Sequence, residues 1–329
     1  MCLLIYCVSL SSLKENRMKS LIDNKIILIF RETRLQELIA RFNTLEQAKF
    51  YIEHLGADFS DYEIENKNYK EALLSVEKQL RNFGIVQMLK REFLPNFIFG
   101  KNDIIVVLGQ DGLVANTLKY VGNQLVIAIN PDPKRWDGVI LPFKVNDVPK
   151  IMLDVLKGIR KYRLITMAKI QLNNGQNLYG VNDIFIGPKS HTSIRYEINI
   201  GNSKENQSSS GIIVSTGLGS TGWLKSILAG AKGIGNTIGN PLNIEILKNN
   251  FTWDSNYLFY TVREPFPSMV TNAELVFGTI KNNEKMKLVS HMPENGVIFS
   301  DGIEADFLEF NSGTEAIISV ADKKGYLVI

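Results

Sequence analysis

The chain has 329 residues, of which 45% are hydrophobic and 22% are charged, and its formal net charge is +3. These values are typical of a globular protein of about two domains. The small charge, without a Lys/Arg-rich run, argues against nucleic acid as a main partner, and no apolar stretch approaches the roughly 20 residues that span a bilayer.

Cysteine and histidine are too sparse and too scattered to form a metal centre. Cys2 and Cys7 both lie near the N-terminus, which excludes a disulfide framework and a cysteine-based zinc site in the core and fits a reducing compartment. The three histidines, His54, His191 and His291, form no metal-binding motif. We therefore predict no metal-ligating residues.

The first 18 residues differ from the rest of the chain. Met1 to Leu13 is apolar and serine-rich without a basic leader, so it is either a poor targeting peptide or a piece that precedes a natural start at Met18. We favour the second interpretation because the fold pattern begins just after Met18. We expect residues 1–18 to be a leader outside the fold and the protein to be cytoplasmic, or mitochondrial if the leader is a transit peptide.

From Lys25 onward, short apolar runs alternate with stripes of helical spacing. The runs at 26–30, 85–89, 104–108 and 125–129 are rich in β-branched residues and indicate strands that are buried on both faces. This alternation predicts that residues 19–148 form an α/β domain with a parallel, Rossmann-like sheet and helices on both faces.

Beyond a helix that opens at Pro149, period-two alternation predicts short strands. Ile194 to Ile200 alternates, residues 173–176 form a hairpin turn, and residues 201–210 form a polar loop. Further β-like runs lie at 258–262, 275–277, 285–289, 297–299, 307–310, 316–320 and 326–329. Residues 149–329 are therefore predicted to form a mostly antiparallel, β-sandwich-like domain.

The strand at 104–108 ends at Gly109-Gln110-Asp111-Gly112, and a helix follows. Ligands of parallel sheets bind outside the carboxyl ends of the strands, and glycines at a helix N-terminus suit a phosphate. Asp111 repels a phosphate unless it takes a proton from the substrate or holds a metal ion. The alternative is that Asp111 is only a helix N-cap in a plain Asp-Gly turn.

Two polar stretches of the second domain are candidates for nucleotide binding. Asn182 and Asp183 lie side by side before an apolar strand, and an amide with a carboxylate can bind a base and ribose hydroxyls. Residues 215–223 place hydroxyls and glycines between a strand and a short helix that starts at Trp223, which suits phosphate or ribose oxygens. A turn and a flexible loop are the alternatives.

The order of these motifs, followed by Ser300-Asp301-Gly302, resembles the NAD kinase family, which usually shows Gly-Gly-Asp-Gly, Asn-Glu, Gly-Ser-Thr-Ala-Tyr and a late Asp-Gly. The chain is most similar to the mitochondrial type, whose pattern is echoed at 130–135, 261–265 and 310–313. Diacylglycerol and sphingosine kinases share the fold and the glycine motif, so a lipid or other small-alcohol kinase is the alternative.

The resemblance implies phosphoryl transfer from ATP, with Mg²⁺, to the adenosine 2′-hydroxyl of NAD, in a dimer or tetramer. The composition predicts that the protein binds neither nucleic acid nor membrane. Asp111 is then the catalytic base. The implied phosphate- and ATP-binding residues are Gly109, Gln110, Gly112 and Arg135. The implied NAD-binding residues are Asn182, Asp183, Thr221, Gly222, Trp223 and Ser226.

The chain departs from the family pattern at several of these positions. Gln110 replaces a glycine and must therefore adopt negative φ, Leu113 replaces a hydroxyl residue, and Asp183 is one methylene shorter than the usual Glu. These changes leave open a second hypothesis, a nucleotide-binding protein without turnover.

Overall fold

A computed structural model describes residues 24–243 and 251–329. The chain divides into an N-terminal unit, Met1–Tyr162 with Tyr326–Ile329, and a C-terminal unit, Arg163–Gly325. The expected leader at 1–18 lies outside the described residues.

The N-terminal unit alternates strands and helices, as the sequence predicts. Its strands are β1 (Lys25–Phe30), β2 (Ile85–Lys90), β3 (Ile104–Leu108), β4 (Leu125–Asn130) and the short β5 (Phe143–Lys144). Its helices are α1 (Arg34–Phe42), α2 (Leu45–His54), α3 (Ser60–Leu80), α4 (Asp111–Tyr120) and α5 (Val148–Leu156). Strands β4, β3, β1 and β2 lie side by side in that order, and all are parallel.

The parallel sheet is buried on both faces, which explains its continuous apolar runs. Residues 26–29 of β1 and 105–108 of β3 have no exposed surface. Helix α3 packs Tyr69 and Val76 into the core cluster on this sheet, and α5 packs Ile151 and Met152 into the same cluster. The carboxyl ends of β1, β3 and β4 therefore form one edge of a rigid sheet.

The boundary between the units differs from the expected one after residue 148. It falls after Tyr162, because α5 buries its apolar face in the N-terminal core rather than in the β-rich unit. The chain end also returns to the N-terminal unit, where Tyr326 and Leu327 pair in parallel with Leu125 and Val126 of β4.

The C-terminal unit is built mainly of antiparallel strands. Its elements are β6 (Tyr162–Leu172), β7 (Asn177–Gly180), β8 (Asp183–Pro188), β9 (Ile194–Ile200), β10 (Ser203–Ser209), β11 (Gly211–Ser215), α6 (Trp223–Thr237), β12 (Tyr257–Arg263), β13 (Phe277–Lys281), β14 (Met286–Ser290), β15 (Gly296–Ser300), β16 (Ile303–Glu309) and β17 (Glu315–Val328). Strands β13, β12, β11, β8, β15 and β16 form one antiparallel sheet in that order. Strands β10, β9, β14 and β17 pair in order, with β6 beside β17 and β7.

One apolar core joins the two groups of strands in this unit. Ile186 and Val214 of the six-stranded sheet pack in the same buried cluster as Ile198, Leu288 and Ile318. A smaller cluster joins this sheet to Trp223 and Ile227 of α6. The predicted α/β domain followed by a β-sandwich-like domain is therefore confirmed.

Three local predictions for this unit differ from the structure. The expected polar loop at 201–210 is largely strand β10, which pairs with β9. Its inward side chains are polar but satisfied, because the Tyr196 hydroxyl donates to Gln207 Oε1 at 2.6 Å and lies 3.0 Å from Ser209 Oγ. The helix from Trp223 is 15 residues long rather than short, and the runs at 316–320 and 326–329 belong to one strand.

Across the part of the chain that the structure describes, no helix is both long enough and apolar enough to cross a bilayer.

Candidate functional site

Asp111 lies where β3 ends, as the first residue of α4. Its carboxylate does not cap its own helix; the N-cap position is Gln110, which makes no side-chain capping bond. Instead, Asp111 Oδ2 accepts from the backbone N–H of Val139 at 3.1 Å, and Oδ1 accepts from that of Ile140 at 3.1 Å. The N-cap interpretation of Asp111 is therefore wrong, and the residue anchors the loop that follows β4.

These two bonds leave the carboxylate able to act on a substrate. Each carboxylate oxygen has two acceptor positions, and each accepts one bond from the loop. Asp111 is half-buried and the adjacent Gly112 is exposed, with nothing within 4 Å of the place where a Cβ would stand. A substrate hydroxyl can therefore approach a carboxylate whose orientation is already set.

The turn before Asp111 shows how Gln110 replaces a glycine. Gln110 has φ −105° and ψ 167°, an extended conformation that any residue adopts, so the expectation of negative φ is confirmed. Gly109 is buried, and its N–H donates to Ile129 O of β4 at 3.3 Å. The turn thus accommodates glutamine at position 110 without positive φ.

Arg135, expected to bind phosphate, is paired in the structure with acidic residues of its own unit. Its Nη1 lies 2.7 Å from Asp61 Oδ1 on α3, and its Nε lies 3.9 Å from Asp132 Oδ2. Hydrogen bonds from Arg34 and then Arg135 lower the pKa of the Asp61 carboxyl. The planar guanidinium has five N–H donors, so it can hold Asp61 and still donate to an anion.

In the C-terminal unit, Asp301 shapes the backbone around Asn182 and Asp183. Its carboxylate accepts from the N–H groups of Val181 at 3.0 Å, Asn182 at 2.6 Å and Asp183 at 3.3 Å. Asp301 itself adopts φ 55°, and its N–H donates to Asp183 O at 3.0 Å. The late Asp-Gly motif therefore holds the Asn-Asp motif in place.

Asp183 is nearly buried, with 9% of its surface exposed. Burial raises the pKa of Asp183 to about 7, and the neighbouring Asp301 carboxylate adds to the rise. A carboxyl group in this state changes its charge near neutral pH, so its ability to accept hydrogen bonds depends on pH.

The loop from Ser215 packs directly on the Asn182 backbone. Thr216 donates from its N–H to Asn182 O at 2.9 Å and from its hydroxyl to Val181 O at 2.5 Å. A Cβ at Gly219 would lie 2.0 Å from Asn182 O, so this close approach requires glycine. The two polar stretches that the sequence singled out are therefore neighbours, joined by Thr216 and Gly219.

The residues expected on the helix side of this loop divide into two groups. Thr221, Gly222 and Ser226 are exposed, as ligand-binding groups must be. Trp223 is half-buried and stacks on Phe185, with ring centroids 5.5 Å apart and planes 11° apart. The Arg263 guanidinium lies 5.6 Å from the Trp223 ring centroid, so part of this ring serves packing.

The described residues include no cluster of three His, Cys, Asp or Glu side chains that could hold a metal ion.

No protein-family model and no curated protein matches the sequence. Solved structures do match. An NAD kinase from Archaeoglobus fulgidus, in complex with ATP, has a TM-score of 0.53 at 14% identity, and the match covers 93% of each chain. Yeast NADH kinase, complexed with NADH, has a TM-score of 0.54 at 15% identity, covering 93% of this chain and 83% of that one. This chain has the NAD kinase fold.

Two sets of contacts around the candidate site residues were not predicted from the sequence. The backbone N–H groups of Val139 and Ile140 hold Asp111, and no side-chain pattern marks them. Asp301 was recognised as part of a motif, but its bonds to the amides of residues 181–183 appear only in the folded chain. An Asp-Gly pair after a strand is the one signal in the sequence that could have suggested a tight turn there.

Proposed function

We propose that the protein is an NAD kinase that transfers the γ-phosphoryl group of ATP to the adenosine 2′-hydroxyl of NAD, giving NADP. The observation that carries the proposal is the fold shared with two NAD(H) kinases over 93% of this chain, one of which binds ATP and the other NADH. The motifs of both units support it, because each resembles the corresponding motif of the family. The Asp111 motif follows the carboxyl end of β3, and the two polar stretches of the C-terminal unit are neighbours.

In the proposed reaction, Asp111 accepts the proton of the 2′-hydroxyl as that oxygen attacks the γ-phosphorus of ATP. The bond from this phosphorus to the β–γ bridging oxygen breaks, and ADP leaves. The loop N–H groups of Val139 and Ile140 keep its carboxylate oriented. Gly109, Gln110 and Gly112 shape the turn, the start of α4 presents backbone N–H groups to the donor phosphates, and Arg135 adds a positive charge. Mg²⁺, when bound with ATP, neutralises charge on these phosphates.

Asn182 and Asp183 are proposed to bind the adenosine part of NAD, and Thr221, Gly222, Trp223 and Ser226 to line its pocket. The support is geometric, because Thr216 and Gly219 hold the two stretches together in the C-terminal unit, and Asp301 fixes the backbone of the first. We also propose that the protein is a homo-oligomer of the mitochondrial type within its family. A cytoplasmic location, or a mitochondrial one, remains a prediction from the sequence.

The test is incubation of the full-length protein with ATP, Mg²⁺ and NAD, followed by detection of NADP by mass. Parallel reactions replace NAD by NADH and ATP by polyphosphate, which separates the acceptor and donor preferences. Asp111→Asn serves as the matched control for contaminating activity. Binding of NAD without any NADP would favour the nucleotide-binding protein without turnover.

A second candidate, a lipid kinase, is favoured by one observation. A lipid acceptor needs an apolar entrance, and a largely apolar cavity lies beside α6 with Thr221 on its lining. A reaction with diacylglycerol as the acceptor belongs in the same experiment, and phosphatidate formation in place of NADP would support this candidate.

A further inference from the structure

A cavity of about 650 Å³ lies between α6 and strands β12 and β13 of the C-terminal unit. This volume lies within the range of small-molecule sites, roughly 300–1,000 Å³. None of the roles proposed above for an NAD kinase uses the body of this cavity. Only its end, at Ser220 and Thr221, touches the loop assigned to NAD.

The wall and floor of the cavity are apolar. Leu224 and Leu228, one helical turn apart on α6, form the wall, and Phe251, Phe259 and Phe277 form the floor. The rings are packed together, with Phe259 lying 4.8 Å from Phe251 and 5.3 Å from Phe277 between centroids. Their positions are therefore fixed, and this surface gains free energy when an aliphatic or flat apolar group displaces water from it.

Among the described residues, the charged side chains on the rim of the cavity are both positive. Lys225 and Lys232 lie seven residues apart, which places both on the cavity side of α6. Within residues 24–243 and 251–329, no aspartate or glutamate lines the cavity, and neither lysine forms an ion pair or a hydrogen bond. Two unpaired ammonium groups over an apolar floor complement a ligand with an apolar body and an anionic head.

We propose that this cavity binds a single-chain amphipathic anion, an aliphatic chain that ends in a carboxylate or a phosphate. The chain lies against Phe251, Phe259 and Phe277, and the head group lies at Lys225 or Lys232. A neutral lipid alcohol leaves both lysines without a counterion, so it fits less well. Binding needs no turnover, so this proposal stands or falls separately from the NAD kinase reaction.

Two glycines of α6 provide a matched pair of variants. Gly233 lines the cavity and Gly230 does not. A Cβ at either position meets nothing within 4 Å, so both accept a side chain without a clash. Replacing either glycine also favours the helix to a similar degree. Gly233→Leu therefore fills the cavity, whereas Gly230→Leu controls for every effect on the helix itself.

The experiment is calorimetric titration of the full-length protein with dodecanoate and with dodecyl phosphate, below the concentrations at which they form micelles. Dodecyltrimethylammonium, with the same chain and the opposite charge, and inorganic phosphate, with no chain, are the controls. We expect both anionic amphiphiles to bind and both controls to fail. The ratio of the two affinities identifies the preferred head group.

The variants test the location of binding. Gly233→Leu should weaken binding of the anionic amphiphiles more than about tenfold, and Gly230→Leu should leave it unchanged. The double variant Lys225→Gln/Lys232→Gln should weaken it about fivefold or more. Equal binding of the cationic amphiphile, or no difference between the two glycine variants, would overturn the proposal. The proposal would also be overturned if the anions did not bind and Gly233→Leu changed the sedimentation coefficient of the protein. The cavity would then be an interface with a second copy of the chain.

Discussion

Asp111→Asn tests the proposed base, and the structure shows that this change has two consequences. Asp111 accepts one backbone bond on each oxygen, from Val139 and Ile140, both at 3.1 Å. An asparagine keeps one acceptor but turns an NH₂ group toward the other N–H. One charge-assisted bond is lost, which costs about 1.5–3 kcal/mol in the stability of the loop. A fall in kcat alone therefore does not identify a base.

Gly138→Ala supplies the control, because it disturbs the same loop and leaves Asp111 intact. Gly138 has φ 64°, which costs a residue with a Cβ about 1–2 kcal/mol. The new Cβ would also lie 2.8 Å from Asn130 Nδ2 and 3.0 Å from Leu141 Cβ. Both variants thus weaken the loop by a comparable amount, and only one removes the carboxylate.

The assay measures kcat for NADP formation at saturating ATP, Mg²⁺ and NAD, with thermal unfolding of each variant alongside. General base catalysis contributes about 10²–10⁴ in rate. We expect kcat to fall at least about a hundredfold in Asp111→Asn and less than about tenfold in Gly138→Ala. If both variants lose the same factor at similar melting temperatures, Asp111 acts as a loop anchor and the assignment as base fails.

The acceptor residues and the phosphate turn give four further expectations. Replacing Asn182 or Asp183 by Ala should raise KM for NAD about tenfold to a hundredfold and leave KM for ATP nearly unchanged, and equal rises in both would contradict the assignment. Burial raises the pKa of Asp183 from the ordinary 3.8 to about 7 in the folded protein. The contribution of this carboxyl group to the free energy of unfolding is therefore fully present below pH 4, and it is lost as pH rises through 7. The full pKa shift corresponds to roughly 4 kcal/mol of unfolding free energy. Asp183→Asn should therefore raise the melting temperature more at pH 8 than at pH 5. If the melting temperatures of the variant and the wild type differed by the same amount at both pH values, Asp183 would not be a buried acid. Asp301→Asn should raise KM for NAD more than it lowers kcat, because it loosens the amides of Asn182 and Asp183, and an unchanged KM would separate that motif from NAD binding. Gln110→Gly should change kcat by only a few-fold, because Gln110 already adopts an extended backbone at φ −105°; a large gain in rate would show that the glutamine obstructs the phosphates.

The sequence by itself determined the architecture of each unit. Burial of β1 and β3 on both faces leaves a continuous apolar run, and this run is visible in the sequence at 26–29 and 105–108. The turn at Gly109 and the negative φ of Gln110 followed from local backbone chemistry. Such features can be predicted because the residues that cause them are adjacent in the chain.

Only the tertiary structure decided what holds the candidate site residues. Asp111 is fixed by amides 28 and 29 residues away, and the backbone at Asn182 is fixed by a carboxylate 119 residues away. The strand β10 was missed for the same reason, since its inward polar side chains are satisfied by Tyr196 on the neighbouring strand. Backbone N–H groups are the same at every residue except proline, so the sequence carries no mark of which of them a distant side chain will find.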